Sequence, residues 1–166
     1  AYLIVKRAMD VAASAAALAL LAPFFLLLSL LIKLDSPGPV LFSQARAGEG
    51  GRLFRCWKLR SMYTDAEARK DALAEHNEMS GGTTFKMKRD PRVTRVGSFI
   101  RKASIDELPQ LWNVLIGALA LVGPRPPVPA EGALYRALAG RRLEVTPGIT
   151  SLRQVSGRSA QTFKEQ

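Results

Sequence analysis

The sequence has a single cysteine, a single histidine and an aromatic share of 7% in 166 residues. Cys56 has no partner for an intrachain disulfide, so a disulfide-stapled fold is excluded. One free thiol also fits a reducing compartment. With His76 as the only histidine, the chain has no Cys/His cluster of the kind that holds zinc. The shortage of aromatics leaves little for stacking on nucleic-acid bases. Acid is scarce as well: 14 Asp and Glu stand against 24 Lys and Arg, a net charge of +10.

What is present is apolar. Hydrophobic residues make up 48% of the chain, and mean hydropathy is +0.04 despite the charge. So much apolar side chain excludes a disordered polyelectrolyte, and the length suits about one domain. The two tendencies are compatible only if they are segregated. Val11 to Ile32 contains no charged side chain. As a helix, 22 residues cover roughly 33 Å, enough for a bilayer core. The run leads into KLDSPGPV rather than a small-residue cleavage site, so it reads as a retained anchor. Pro23 lies near its middle, where a kink is expected. The kinked helix either spans the bilayer or turns back to the face it entered. Cations flank both ends, as they would if both faced the cytoplasm, so flanking charge does not decide between the two. Prolines are common in spanning helices, and on that ground the residues alone favour spanning.

Beyond the anchor the pattern is mixed. Ser36 to Phe42 is a turn and an extended run, Gly48, Gly50 and Gly51 mark a loop, and LFRCWKLRSM alternates like a strand, so a hairpin is expected. Asp65 to Met79 reads as a polar surface helix carrying His76. Gly132 to Arg142 reads as a short amphipathic helix, TPGIT as a turn and SLRQVSGR as a last extended piece. A helix is expected from Ser104 or Asp106 to about Ile116, with Leu108, Leu111, Trp112 and Leu115 on one buried face. The fold class is α+β, with residues 1–35 as the anchor and 36–166 as one integrated region.

Two adjacent carboxylates, Asp106 and Glu107, open that helix. Ser104-Ile105-Asp106-Glu107 reads as a capping box, or Asp106 itself is the N-cap with Pro109 in the first turn. Free N–H groups there favour an anion, so Asp106 is expected to stay ionised and nucleophilic. A plain cap accounts for one acid but not for two beside a basic cluster. From Lys86 to Lys102 the chain holds seven cations and one acid, Asp90. Of the 24 cations 16 are Arg, whose planar fork suits phosphate oxygens. Lys58 and Arg60 would share one strand face, and with Arg101 they are the first candidates for phosphate contacts ahead of Arg92 and Arg95. Arg125 stands in Gly123-Pro124-Arg125-Pro126-Pro127, where prolines stiffen the loop around one cation.

The motifs KRAMD, GPVLFSQARAGEGG, CWKLRSM, RDPRVTRVGSFIRKASIDELPQLWNVLIG, LVGPRP and PGIT occur in that order from about Lys6 to Arg158. In this the chain resembles the bacterial sugar transferase family, the monotopic phosphoglycosyl transferases. The resemblance implies transfer of a sugar-1-phosphate from a UDP-sugar to polyprenyl phosphate, with release of UMP, at the cytoplasmic face of the bacterial inner membrane. It implies Mg²⁺ as cofactor, Asp106 as nucleophile and metal contact, and Glu107 as its partner in an acidic dyad. It further implies that Arg125 binds phosphate, that Arg101 orients it, that Arg7 contacts lipid headgroups, and that the helix breaks at Pro23 into a re-entrant hairpin. That last implication reverses the preference for spanning. The chain departs from the family pattern at Ser151-Leu152-Arg153, where Gly-Trp often follows PGIT, and from Ile116 to Ala120, which lacks the usual polar character.

The resemblance makes a UDP-sugar, polyprenyl phosphate and membrane lipids the expected partners, leaves homo-oligomerisation open and leaves the sugar undetermined. The rival is a membrane-anchored, Arg-rich module that binds anionic lipid or nucleic acid without catalysis. Adjacent carboxylates count against it, because they repel phosphate unless a metal or a reaction is involved. On the same ground nucleic acid is not an expected partner.

Overall fold

The computed structural model describes residues 2–69, 87, 90–129 and 143–151. Helix α1 (Tyr2–Asp35) is followed by strand β1 (Leu41–Ala47), a 3₁₀ turn (Glu49–Gly51) and strand β2 (Leu53–Leu59). Helix α2 (Arg95–Lys102), a second 3₁₀ turn (Ile105–Glu107), helix α3 (Gln110–Leu115) and strands β3 (Ala120–Val122) and β4 (Gly148–Thr150) complete the described elements. The mixed α and β character expected from the sequence is present. The chain forms two compact units, and each takes one half of α1. One comprises residues 1–19, 44–56 and 110–166, the other 20–43 and 57–109.

α1 runs through Pro23 with helical residues on both sides, so the expected break does not interrupt it. A proline removes one backbone donor but keeps a helical φ, and an apolar surrounding penalises any further loss of helical hydrogen bonds. Leu20, Leu26, Leu27, Leu30, Leu31 and Leu34 are exposed on the C-terminal half. So many bare leucines on one helix need a cover of their own.

In the unit built on that half, Leu28 and Ile32 of α1 pack with Leu59 of β2 and Ile100 of α2, and Phe24, Phe25, Val40, Val96 and Ile105 border the cluster. α1 also sets where α2 begins, because Asp35 Oδ2 accepts from Val96 N at 2.9 Å. Thr94 caps the same helix, its hydroxyl accepting from Gly97 N at 3.0 Å. At Gly97 an added Cβ would lie 2.0 Å from Ser61 O, so only glycine lets α2 approach the chain after β2.

The expected hairpin forms, β1 pairing with β2 across the glycine loop. Gly50, at φ 66°, takes the left-handed conformation that reverses the chain. TPGIT is not merely a turn: Gly148–Thr150 is a strand parallel to β3, with Ala120 opposite Gly148 and Val122 opposite Thr150. Its strand character comes from backbone pairing with a distant segment, which local turn residues do not announce.

The helix expected from Ser104 or Asp106 to Ile116 is divided. Ile105–Glu107 makes one 3₁₀ turn, and α3 starts only after Pro109, whose ring and missing N–H prevent a continuous first turn. Neither capping scheme forms. Ser104 sits at φ 59°, ψ 19°, and its side chain does not cap the turn. Trp112 is 53% exposed, against the expected buried face. Gln110, Leu111, Asn113 and Val114 are buried instead, and Asn113 Nδ2 donates to Arg55 O at 2.8 Å. Starting at Gln110 rotates the face, and a satisfied buried amide holds it there. The polar helix at 65–79 lies largely outside the described residues, its first part, Asp65 to Arg69, being turn. Gly132–Arg142 and all of SLRQVSGR except Ser151 also lie outside them.

Candidate active site

The approach to Asp106 is made by the end of α2. Ala103 N bonds to Phe99 O at 3.2 Å and Ser104 N to Arg101 O at 3.2 Å, after which the left-handed Ser104 turns the chain sharply. Ile105 is drawn to the apolar cluster and Asp106 follows it inward, 9% exposed. Burial pushes the Asp106 carboxyl above its ordinary value, and the neighbouring Glu107 pushes it the same way, while Lys58 and Arg101 act against them. The direction is opposite to that expected from a helix N-terminus. A single 3₁₀ turn has almost no dipole to offer, and desolvation of the carboxylate dominates.

Lys58, at the end of β2, reaches Glu107 with Nζ to Oε1 at 2.8 Å, both side chains being partly buried. Lys58, Arg101, Asp106 and Glu107 therefore form one electrostatic group, as the sequence suggested. A carboxylate held between a second acid and two cations is basic and poorly solvated, which is the environment a carboxylate nucleophile needs. Its charge is countered by groups that also suit phosphate oxygens.

Arg60 goes elsewhere. It is 6% exposed, and its guanidinium donates to Pro37 O at 2.7 Å, to Ser36 O at 2.5 Å and to Ile32 O at 3.2 Å. These are carbonyls at and just beyond the end of α1, so Arg60 serves as a helix cap. Alternation placed it on the same face as Lys58, but β2 ends at Leu59 and the face ends with it. Arg92 is also structural: it holds Asp90 through Nε and Nη2, the latter at 2.6 Å, and donates to Ala66 O. This pair lowers the Asp90 carboxyl and raises the Arg92 guanidinium, each through the hydrogen bonds between them. Arg95 is exposed on α2.

In the other unit, Arg7 donates from Nη1 to Val114 O at 2.6 Å and from Nη2 to Leu115 O at 2.9 Å, capping the end of α3. A headgroup role for Arg7 would compete with these bonds. Arg125 belongs to this unit too. Among Gly123 to Pro127 it alone is exposed, and the loop around it is held firmly. Gly123 N bonds to Thr150 O at 3.0 Å and Gly148 N to Pro124 O at 2.9 Å. On the far side Arg46 Nη1 donates to Pro126 O at 3.2 Å and Ala47 N to Pro127 O at 3.0 Å. The sequence reading missed Arg46. Its signal was Gln44 and Arg46 two apart, and so on one face of β1, ahead of a glycine turn.

Among the described residues no three His, Cys, Asp or Glu side chains gather. A hard cation such as Mg²⁺ needs only one or two carboxylates and completes its shell with substrate phosphates and water, so an adjacent acid pair could hold it. Asp106 and Glu107 are the carboxylates available to it.

The bacterial sugar transferase family model matches residues 1–166. The galactosyl transferase CpsE of Streptococcus agalactiae is 48% identical over 158 residues, covering 95% of this chain and 35% of the relative. The exopolysaccharide production protein PSS of Rhizobium leguminosarum is 44% identical over 161 residues, covering 93% and 75%. The UDP-glucose:undecaprenyl-phosphate glucose-1-phosphate transferase of Caulobacter vibrioides is 46% identical over 155 residues, covering 92% and 54%. The chain thus spans about a third of CpsE, about half of the Caulobacter protein and three quarters of PSS.

Proposed function

We propose, on the premise that this chain belongs to the bacterial sugar transferase family, that it transfers a sugar-1-phosphate from a UDP-sugar to polyprenyl phosphate at a membrane surface. The observation that carries the mechanism is the buried Asp106 carboxyl beside Glu107, with Lys58 and Arg101 countering its charge. An Asp106 oxygen attacks the β-phosphorus of the UDP-sugar. A new P–O bond forms, the bond from that phosphorus to the bridging oxygen breaks, and UMP leaves with the electron pair. A phosphate oxygen of polyprenyl phosphate then attacks the same phosphorus and releases the Asp106 carboxylate. The acyl phosphate between the two steps is reactive enough to pass the group on.

Burial serves this chemistry by making the ionised Asp106 a stronger base and nucleophile than a solvated carboxylate, and Lys58 and Arg101 favour the ionised form against it. Mg²⁺ bound at Asp106 and Glu107 would offset charge on the donor diphosphate. Lys58 holds Glu107 in place, and Arg101, near enough to act on the Asp106 carboxyl, is the cation we assign to a donor phosphate.

The membrane reading rests on α1. Its exposed leucines suit a hydrocarbon environment, and each half of the helix is tied to polar protein, through Arg7 at one end and through Asp35 and Arg60 at the other. The resemblance to the monotopic transferases supports a segment that enters and leaves by one face, which we assign to the cytoplasmic face of the bacterial inner membrane.

The test is UMP release by detergent-solubilised protein with Mg²⁺, undecaprenyl phosphate and a panel of UDP-sugars including UDP-glucose and UDP-galactose. One donor is expected to give UMP, and Asp106→Asn to lower the rate by at least about 10³-fold. Substantial turnover by that variant sinks the covalent mechanism. A panel with no UMP above background sinks the enzymatic reading and leaves the lipid-binding module.

A further inference from the structure

We infer that Arg46 is the positioning residue for Arg125, and that the Gln44–Arg46 pair on β1 sets the direction of the cation that Arg125 offers to a phosphate. The inference rests on the reading of Arg125 as a phosphate contact. Pro124, Pro126, Pro127 and Pro129 have no N–H, so beyond Gly123 the loop has few donors of its own. Its conformation must be held by groups that reach its carbonyls. β4 takes care of one side, where Gly148 N meets Pro124 O and Thr150 O meets Gly123 N. The other side depends on the end of β1. Arg46 Nη1 meets Pro126 O, the carbonyl of the residue next to Arg125, and Ala47 N meets Pro127 O. Arg125 thus lies between two anchors and projects alone into solvent.

Arg46 is itself oriented. Its Nη2 donates to Gln44 Oε1 at 2.9 Å, a same-face contact between residues two apart on a strand. A guanidinium makes both bonds at once because its donors diverge in one plane, which an ammonium cannot reproduce. The hairpin turn is fastened to the approach to β4 as well, through Thr146 Oγ1 donating to Glu49 Oε2 at 2.5 Å. Hairpin, proline loop and β4 therefore brace one another, and Arg46 is bonded to the carbonyl of the residue that follows Arg125. Fixing a phosphate clamp before the substrate arrives avoids an ordering cost at the moment of binding.

The test uses the full chain in detergent with Mg²⁺ and UDP as the probe, so it does not depend on which sugar is transferred. Two quantities are measured: UDP affinity, and amide exchange at Gly123 and Gly148. Arg46→Met should weaken UDP binding by about tenfold, the cost of ordering on binding a side chain that is no longer held beforehand, and should speed exchange at both glycines. Arg46→Lys keeps a donor for Pro126 O and should recover part of both losses. Because Arg46 acts through Arg125, the Arg46→Met/Arg125→Met double variant should bind UDP no worse than Arg125→Met alone. Additive losses, or unchanged exchange in Arg46→Met, overturn the inference. If Arg125→Met weakens binding and Arg46→Met does not, the inference falls by itself. If Arg125→Met leaves UDP affinity unaltered, the phosphate reading of Arg125 falls and takes the inference with it.

Discussion

Replacing Arg60 by Met distinguishes a helix cap from a phosphate ligand. In the wild type the guanidinium satisfies Ile32 O, Ser36 O and Pro37 O from a position that is 6% exposed. Ile32 O also accepts from Ser36 N, so the substitution strands chiefly Ser36 O and Pro37 O. Each hydrogen bond from a charged donor contributes about 1.5–3 kcal/mol. The variant recovers part of the cost of burying a cation, and Arg60 Nε already lacks a partner, which lowers the net value of the native arrangement. The expected loss is about 3 kcal/mol, or roughly 6–12 °C in Tm for a chain of this size. Thermal unfolding in detergent measures it. Arg60→Lys should fall between wild type and Arg60→Met, since an ammonium cannot span three carbonyls. Gly38→Ala supplies an independent check: its Cβ would come within 2.2 Å of Arg60 Nη1 at a residue already at φ +123°, so it should destabilise in the same direction. The donor KM, measured where each variant is folded, should stay at its wild-type value. An unchanged Tm with a raised donor KM would refute the reasoning and return Arg60 to the substrate site.

Three further outcomes are expected. Asp106 has a raised folded-state pKa, so its contribution to stability is present below the ordinary carboxylate range and is lost as pH rises through the folded value. Asp106→Asn should therefore unfold at a higher temperature than wild type at neutral pH, with the gap closing as pH falls; a variant no more stable than wild type at neutral pH contradicts the burial argument. Asp90 has a lowered pKa, so its contribution is present above the ordinary range and lost as pH falls through the folded value. Asp90→Asn removes the carboxylate that the buried Arg92 holds and should cost about 3 kcal/mol at neutral pH while flattening the acid limb of the stability profile; a neutral-pH Tm equal to wild type would show the pair to be dispensable. For the membrane segment, cysteines introduced at Leu3 and Ala45 should react with an impermeant reagent from the same face of sealed vesicles, and labelling from opposite faces would make α1 a spanning helix.

Local features of the site were legible because they are written in short stretches. The charge-free run, the glycine turn of the hairpin, the paired acids at Asp106 and Glu107 and the proline loop around Arg125 each follow from a few neighbouring residues. The errors came where distant groups compete. Strand alternation put Arg60 beside Lys58, but no local rule says that three carbonyls at the end of α1 will claim it. Helical spacing put Trp112 inside, but Pro109 delays α3 and Asn113 takes the buried place through Arg55 O. The helix-terminus argument kept Asp106 ionised, yet the turn proved too short to matter and burial raised the carboxyl instead.

The sequence by itself determined which chemistry was available: an apolar helix, an acid pair, an Arg-rich remainder, and too little cysteine, histidine and aromatic side chain for the alternatives. Only the tertiary structure decided which cations are free to meet a phosphate. A guanidinium binds a backbone carbonyl and a phosphate oxygen with the same donors, and charge alone does not tell them apart. Arg7, Arg60 and Arg92 are committed to the protein's own acceptors, and Arg125 projects from a loop that others hold.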